Sequence, residues 1–317
     1  MTKLRSQWLT LALACREALG LRLSRGRLLR TLPILIALLL ASHFSNAQTA
    51  SDTWPQTEAK LNNLLSGSSE QKRTALAEIR GIHTEQASRL ALPALSDPDE
   101  IVRATAAAAV VFLPEQEAAQ KLLPLLDDKA PFVRREAAYA LGKVGNWSAT
   151  NQLRRVLNKD PDPEVRSAAA IAIGNIGDYS ALNDLIAILK DRPAEKNEFI
   201  RRSAARAVGQ IFELYATGKP LGVVPESFLP PKFKEAGGSR DMQPLYRQID
   251  INSIAAVLAK VVQDPKESVD TRREAAFALG ATRLPSTAAV LRSQLTSPDP
   301  YLVEIAKEAL LKTQNPR

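Results

Sequence analysis

The sequence predicts an all-α solenoid, a stack of two-helix units with one long insertion, and three observations predict it. The first is a recurring motif: Val133 to Gly145 reads Val-Arg-Arg-Glu-Ala-Ala-Tyr-Ala-Leu-Gly-Lys-Val-Gly, and close copies return along most of the 317 residues. The second is its period. Aligned on Val133, the copies start at Gln71, Val102, Val133, Val165, Ile200, Thr271 and Leu302, in steps of 31, 31, 32, 35, 71 and 31 residues. The third is punctuation, since Asp-Pro and Gly-Asn or Gly-Asp pairs fall between the apolar runs. A period near 31 suits a pair of helices whose apolar faces close only when a neighbouring pair stacks on them.

Taken in order, the chain opens with a leader. Residues 1–47 carry seven basic residues against Glu17 alone, then a ten-residue apolar run from Leu32 to Ala41, then Ser45, Asn46 and Ala47. That layout predicts a signal peptide cut before Gln48. A bilayer-spanning helix needs roughly 20 apolar residues, so cleavage is favoured over a permanent anchor at residues 28–44. The expected location is therefore the periplasm or the cell exterior, with membrane contact only through an uncleaved leader. Residues 48–56 are polar and small, apart from Trp54, and read as a flexible tether.

The leader also explains the charge. The chain has a formal charge of +8 and a pI near 9.6, but beyond residue 47 it holds 35 basic and 33 acidic residues. A mature chain so close to neutral lacks the electrostatic footprint of nucleic-acid binding. The single cysteine, Cys15, lies in the leader, so nothing downstream can form a disulfide or offer a thiolate.

Residues 57–317 form the expected array. In the opening helix of each unit, Val133, Ala137, Ala140, Leu141 and Val144 share one stripe, with Arg135, Glu136 and Lys143 opposite. Second helices are expected at Leu122 to Leu126, Leu153 to Leu157, Leu182 to Leu189, Ile254 to Val262 and Ala288 to Leu295. Asp97-Pro98-Asp99, Asp160-Pro161-Asp162-Pro163 and Asp264-Pro265 should each end one helix and cap the next, because proline cannot continue a helix and aspartate accepts from free amides. Gly145-Asn146 and Gly177-Asp178 should divide the two helices of a unit. Gly142, Gly174, Gly209 and Gly280 sit inside opening helices, where glycine costs about 1 kcal/mol relative to alanine. Close approach of a neighbouring helix would offset that. The 71-residue step holds an insertion, residues 216–242, rich in proline and glycine, with Phe228 and Phe233 as apolar docking residues.

The strings Asp160-Pro161-Asp162-Pro163-Glu164-Val165-Arg166 and Val133-Arg134-Arg135-Glu136-Ala137-Ala138-Tyr139-Ala140-Leu141-Gly142 resemble HEAT repeats, most of all the short, alanine-rich form also found in phycobilisome lyases. The resemblance covers roughly residues 57–317. It implies a right-handed α-solenoid whose second helices line a concave groove. Gln71, and the missing arginine in Leu302-Val303-Glu304, depart from the pattern as terminal caps would.

Material for catalysis is scarce. His83 is the one histidine beyond the leader, and its place at a helix end suits a cap; no catalytic residue, metal ligand or cofactor is expected. Arg103, Arg134, Arg166, Arg201 and Arg272 recur one residue after the aligned position, either as a ladder of anion binders or, favoured by their regularity, as ties to the aspartates and carbonyls of adjacent turns. Arg89, Lys121, Arg154, Arg155, Asn183, Asp184, Lys260, Arg292 and Gln294 are the expected exposed residues of second helices. Of these, Arg154, Arg155, Lys260 and Arg292, with Phe228 and Phe233, are the candidate partner contacts. Trp147 and Tyr179 either form ridges for a partner or cover the turn between helices. The expected function is an exported, non-enzymatic scaffold holding a protein or peptide partner in the groove. The alternatives are a chromophore-lyase-like factor, implied by the resemblance alone, and a nucleic-acid-binding protein.

Overall fold

The computed structural model describes residues 53–218, 245 and 247–314. The chain divides into two compact units, Met1–Thr57 and Glu58–Arg317. In the first, the described residues are Thr53 and the opening turn of helix α1 (Trp54–Leu65), which Thr53 starts by offering its carbonyl to the Gln56 and Thr57 amides. Helix therefore takes the last three residues of the expected tether, while the leader lies outside the described residues.

The second unit is a stack of helix pairs. Opening helices are α2 (Ser69–Ile82), α4 (Glu100–Ala109), α6 (Pro131–Val144), α8 (Pro163–Ile176), α10 (Glu198–Thr217), α12 (Val269–Ala281) and α14 (Pro300–Gln314). Between them run second helices α3 (Glu85–Leu90), α5 (Glu115–Leu122), α7 (Thr150–Lys159), α9 (Leu182–Lys190), α11 (Ile251–Gln263) and α13 (Ala288–Ser293). No strand occurs among the described residues. No described helix is long and apolar enough to cross a membrane.

The caps work largely as expected. Asp99 accepts from the Ile101 amide at 2.8 Å and Asp162 from that of Glu164 at 2.7 Å, each satisfying a donor left free in the first turn. Gly145 and Gly177 close α6 and α8 with φ of 81° and 77°, after which Asn146 and Asp178 start the next turn. His83 ends α2 in the same left-handed conformation, and its ring rests on Phe112 with centroids 4.9 Å apart. Two expectations need correction. Asp264 ends α11 but does not cap α12: Ser268 does, accepting from the Thr271 amide at 3.2 Å. The runs Leu122 to Leu126 and Ala288 to Leu295 are not single α-helices, since α5 stops at Leu122 and α13 at Ser293, and 3-10 turns, Leu123–Asp127 and Gln294–Thr296, follow. Pro124 has no amide hydrogen to continue the α pattern.

The interior glycines explain how the opening helices stack. A Cβ built on Gly142 would stand 2.6 Å from the Ala172 Cα, one on Gly174 2.7 Å from that of Ala207, and one on Gly280 2.6 Å from that of Ala309. Adjacent backbones therefore touch at the glycine, as the alanines around it also allow. Gly209 meets the Phe277 ring instead, at 2.5 Å.

Helix α10 extends to Thr217 and closes on Gly218, so residues 216–218 of the expected insertion belong to the helix end. Its remainder, with Phe228 and Phe233, lies outside the described residues.

Candidate partner-binding face

The recurring arginines are ties between units. Arg103 forks onto Asp128 at 2.7 and 2.9 Å and donates to the carbonyls of Asp97 and Pro98. Arg134 repeats this on Asp160 and the Asp128 and Lys129 carbonyls. The ion pair holds the Asp128 carboxyl below the usual carboxylate range and the Arg103 guanidinium above its own. Arg201 reaches Glu267 across the long step and donates to the Ile188, Leu189 and Asp191 carbonyls; both charged side chains are only 2% exposed. Arg166 differs, donating to the Leu157 carbonyl.

Two members of this ladder escape the sequence pattern. Lys72, next to Gln71 and so in register, pairs with Asp97 at 2.7 Å as its first rung. Gln294, expected on an exposed surface, is buried, and its side-chain oxygen accepts from Arg272 at 2.9 Å. An amide replaces the carboxylate there, a substitution that period alone does not reveal.

Second-helix residues are bound to one another along the array. Arg154 donates to Asp184 at 2.6 Å, Arg155 pairs with Asp127 at 2.8 Å and Arg89 with Glu117 at 3.0 Å. Arg292 and Lys260 are exposed, and Lys260 borders a cleft of about 360 Å³ between the end of α9 and α11. The buried Arg201–Glu267 pair contributes to its lining. Trp147 covers a turn: its indole donates to the Ile176 carbonyl at 3.2 Å, and its ring meets Tyr179 edge-on at 6.3 Å.

The opening helices present a different surface. At the residue before each aligned position stand Glu70, Ile101, Phe132, Glu164, Phe199, Asp270 and Tyr301. Phe199 is 65% exposed, Tyr301 49%, Ile101 41% and Phe132 36%, with Tyr139 exposed two turns along from Phe132. Arginines lie against three of the rings: Arg135 on Phe132 at 5.0 Å, Arg202 on Phe199 at 4.7 Å and Arg273 on Tyr301 at 5.0 Å. Each arginine is braced by a carboxylate on the next opening helix, Arg135 by Glu164, Arg202 by Asp270 at 3.2 Å and Arg273 by Asp299 just ahead of α14 at 2.7 Å. Aromatic faces and guanidinium planes are thereby held in place before any partner arrives. Period 31 places these residues in register, but only the fold shows that the row stays in solvent.

The family profile for HEAT repeats matches residues 58–142 and 121–209. The helix pairs within residues 58–209 are HEAT repeats. The pairs that follow continue the same stack of opening and second helices. Among solved structures, the HEAT array is similar to an engineered protein at 22% identity, with 80% of this chain and 95% of that chain covered and a TM-score of 0.45. It is also similar to computationally designed armadillo repeat proteins for modular peptide recognition, at 19% identity, 72% and 99% coverage and a TM-score of 0.42. The complex of CpcE and CpcF of phycocyanin lyase from a Nostoc species is a third, at 24% identity, 72% and 88% coverage and a TM-score of 0.39. No curated protein matches the chain.

Proposed function

We propose that this chain is an exported, non-enzymatic HEAT-repeat scaffold that holds a protein or peptide partner on the face made by its opening helices. The observation that carries the reading is the row of exposed aromatic rings backed by braced arginines, Phe132 with Arg135 and Phe199 with Arg202. Aromatic side chains and arginine are the residues enriched where interfaces bind most strongly, and rings already held in one geometry lose little freedom on contact. Of the second-helix cations, Arg89, Arg154 and Arg155 spend their charge on neighbouring carboxylates, whereas Lys260 and Arg292 stay exposed.

A photoreactive phenylalanine at position 139 or 199 is expected to crosslink the partner in cells, while the same probe at 155, 260 or 292 does not. Phe132→Ala with Phe199→Ala should abolish capture at a cost of about 1–2 kcal/mol, mostly from the partly covered Phe132, and leave the array folded. Crosslinks confined to 155, 260 and 292 would move the partner to the second-helix face. Export has its own test. The mature chain should begin at Gln48 by mass spectrometry of the extracytoplasmic fraction, and a full-length chain retained inside the cell would overturn that part.

A further inference from the structure

Phe199, Arg202 and Arg206 lie at i, i+3 and i+7 along α10, which places them on one stripe of the proposed face. Arg202 gives one nitrogen to Asp270 at 3.2 Å and keeps a 35% exposed side chain. Arg206 is 41% exposed, and its ion pair with Glu274 on α12, at 3.7 Å, is too long for a hydrogen bond. Among the described residues, its donors have no hydrogen-bond partner.

Glu274 is the other half of the observation. The residue is 8% exposed, and its Oε2 is buried without any hydrogen bond. The charged groups acting on it are Arg206 and Arg202 from α10 and Asp270 from its own helix. Burial, only partly offset by Arg206 and Arg202, pushes its carboxyl up to about 7. At neutral pH the carboxyl is therefore often uncharged, and its ion pair with Arg206 is then lost. Arg273, by contrast, is saturated by Asp299 and Asp270.

Resting on the reading of this face as the partner site, we infer that the partner presents an acidic segment here, a side-chain carboxylate seated on Arg206 and Arg202 with an apolar neighbour against Phe199. The exposed guanidinium edges offer the bidentate geometry that a carboxylate takes. A carboxylate arriving on Arg206 weakens its hold on Glu274, which then takes up a proton. Binding and protonation thus favour one another.

The test uses the mature chain from Gln48 and a displayed library of random dodecapeptides. Selected peptides are expected to compete with one another, to lose binding to the Phe132→Ala, Phe199→Ala variant, and to carry adjacent glutamates or aspartates beside an apolar residue. Arg206→Gln should weaken a selected acidic peptide about tenfold or more, and exchange of the peptide's glutamates for glutamines should do the same. The peptide's own carboxylates stay ionised at both pH 6 and pH 8. Its affinity should nevertheless be roughly three- to tenfold higher at pH 6, a difference that Glu274→Gln removes. Peptides that map to the face but lack acids, or that ignore Arg206→Gln, overturn this inference and leave the face standing. Peptides that bind elsewhere, or a library that yields no binder, overturn both.

Discussion

Gly142→Ala is expected to destabilise the array by about 2–3 kcal/mol, although alanine is the better helix former by about 1 kcal/mol. The added Cβ would stand 2.6 Å from the Cα and 3.0 Å from the Cβ of Ala172. The obstacle is backbone, not the end of a flexible side chain, so α6 and α8 must move apart along their whole contact. Gly81→Ala supplies the control within the same protein. Gly81 is exposed near the end of α2, with nothing within 4 Å of where its Cβ would be. There the same substitution is expected to stabilise by about 0.5–1 kcal/mol. Urea unfolding of both variants, with the slope checked against the parent, reads the two signs. Equal effects at both sites would show that glycine in the opening helices is not placed by helix contact.

Glu267→Ala carries the second large effect. It leaves Arg201 buried, still bonded to three carbonyls but without its counter-charge, and removing one member of a buried pair costs about 3–5 kcal/mol. This pair also joins the units on either side of the 71-residue step, because Arg201 lies on α10 and Glu267 in the turn before α12. In a stack stabilised by nearest-neighbour contacts, weakening one junction lowers cooperativity as well as stability. Fluorescence of Trp54 and Trp147 reports on the part of the chain before the junction and far-UV circular dichroism on the whole stack. In Glu267→Ala the two transitions should separate, whereas in the parent they coincide. Arg201→Met combined with Glu267→Leu should lose less than the sum of the single changes, since no isolated charge remains. Coincident transitions and additive losses would make the pair an ordinary contact.

The differing reach of sequence and structure is clearest at these junctions. That Arg103 and Arg134 tie neighbouring units could be read from their period, because an aspartate recurs at the matching place in the turn between units. Across the long step the tie could not be read so directly: the acceptor is Glu267, 66 residues from Arg201. At Arg272 the acceptor is an amide on a residue that the helical pattern places in solvent. Partner choice at such sites depends on which chain segments the stack brings together, and spacing records that only while the repeat is regular.

What the sequence determined by itself was most of the helix list and its order, for the reason that these depend on local chemistry. Apolar spacing, proline and aspartate at the junctions, and left-handed glycines after α6 and α8 each act within a few residues. It also determined that the opening helices touch, since interior glycine has a cost that only close contact offsets. Only the tertiary structure decided which charged residues are consumed in building the stack and which remain to meet a partner. Arg154 and Arg206 both read as basic residues on helices, yet one donates to an aspartate on the next unit and the other reaches a carboxyl too buried to stay reliably charged. That distinction rests on burial and on the distance between helices far apart in the chain, neither of which a local pattern contains.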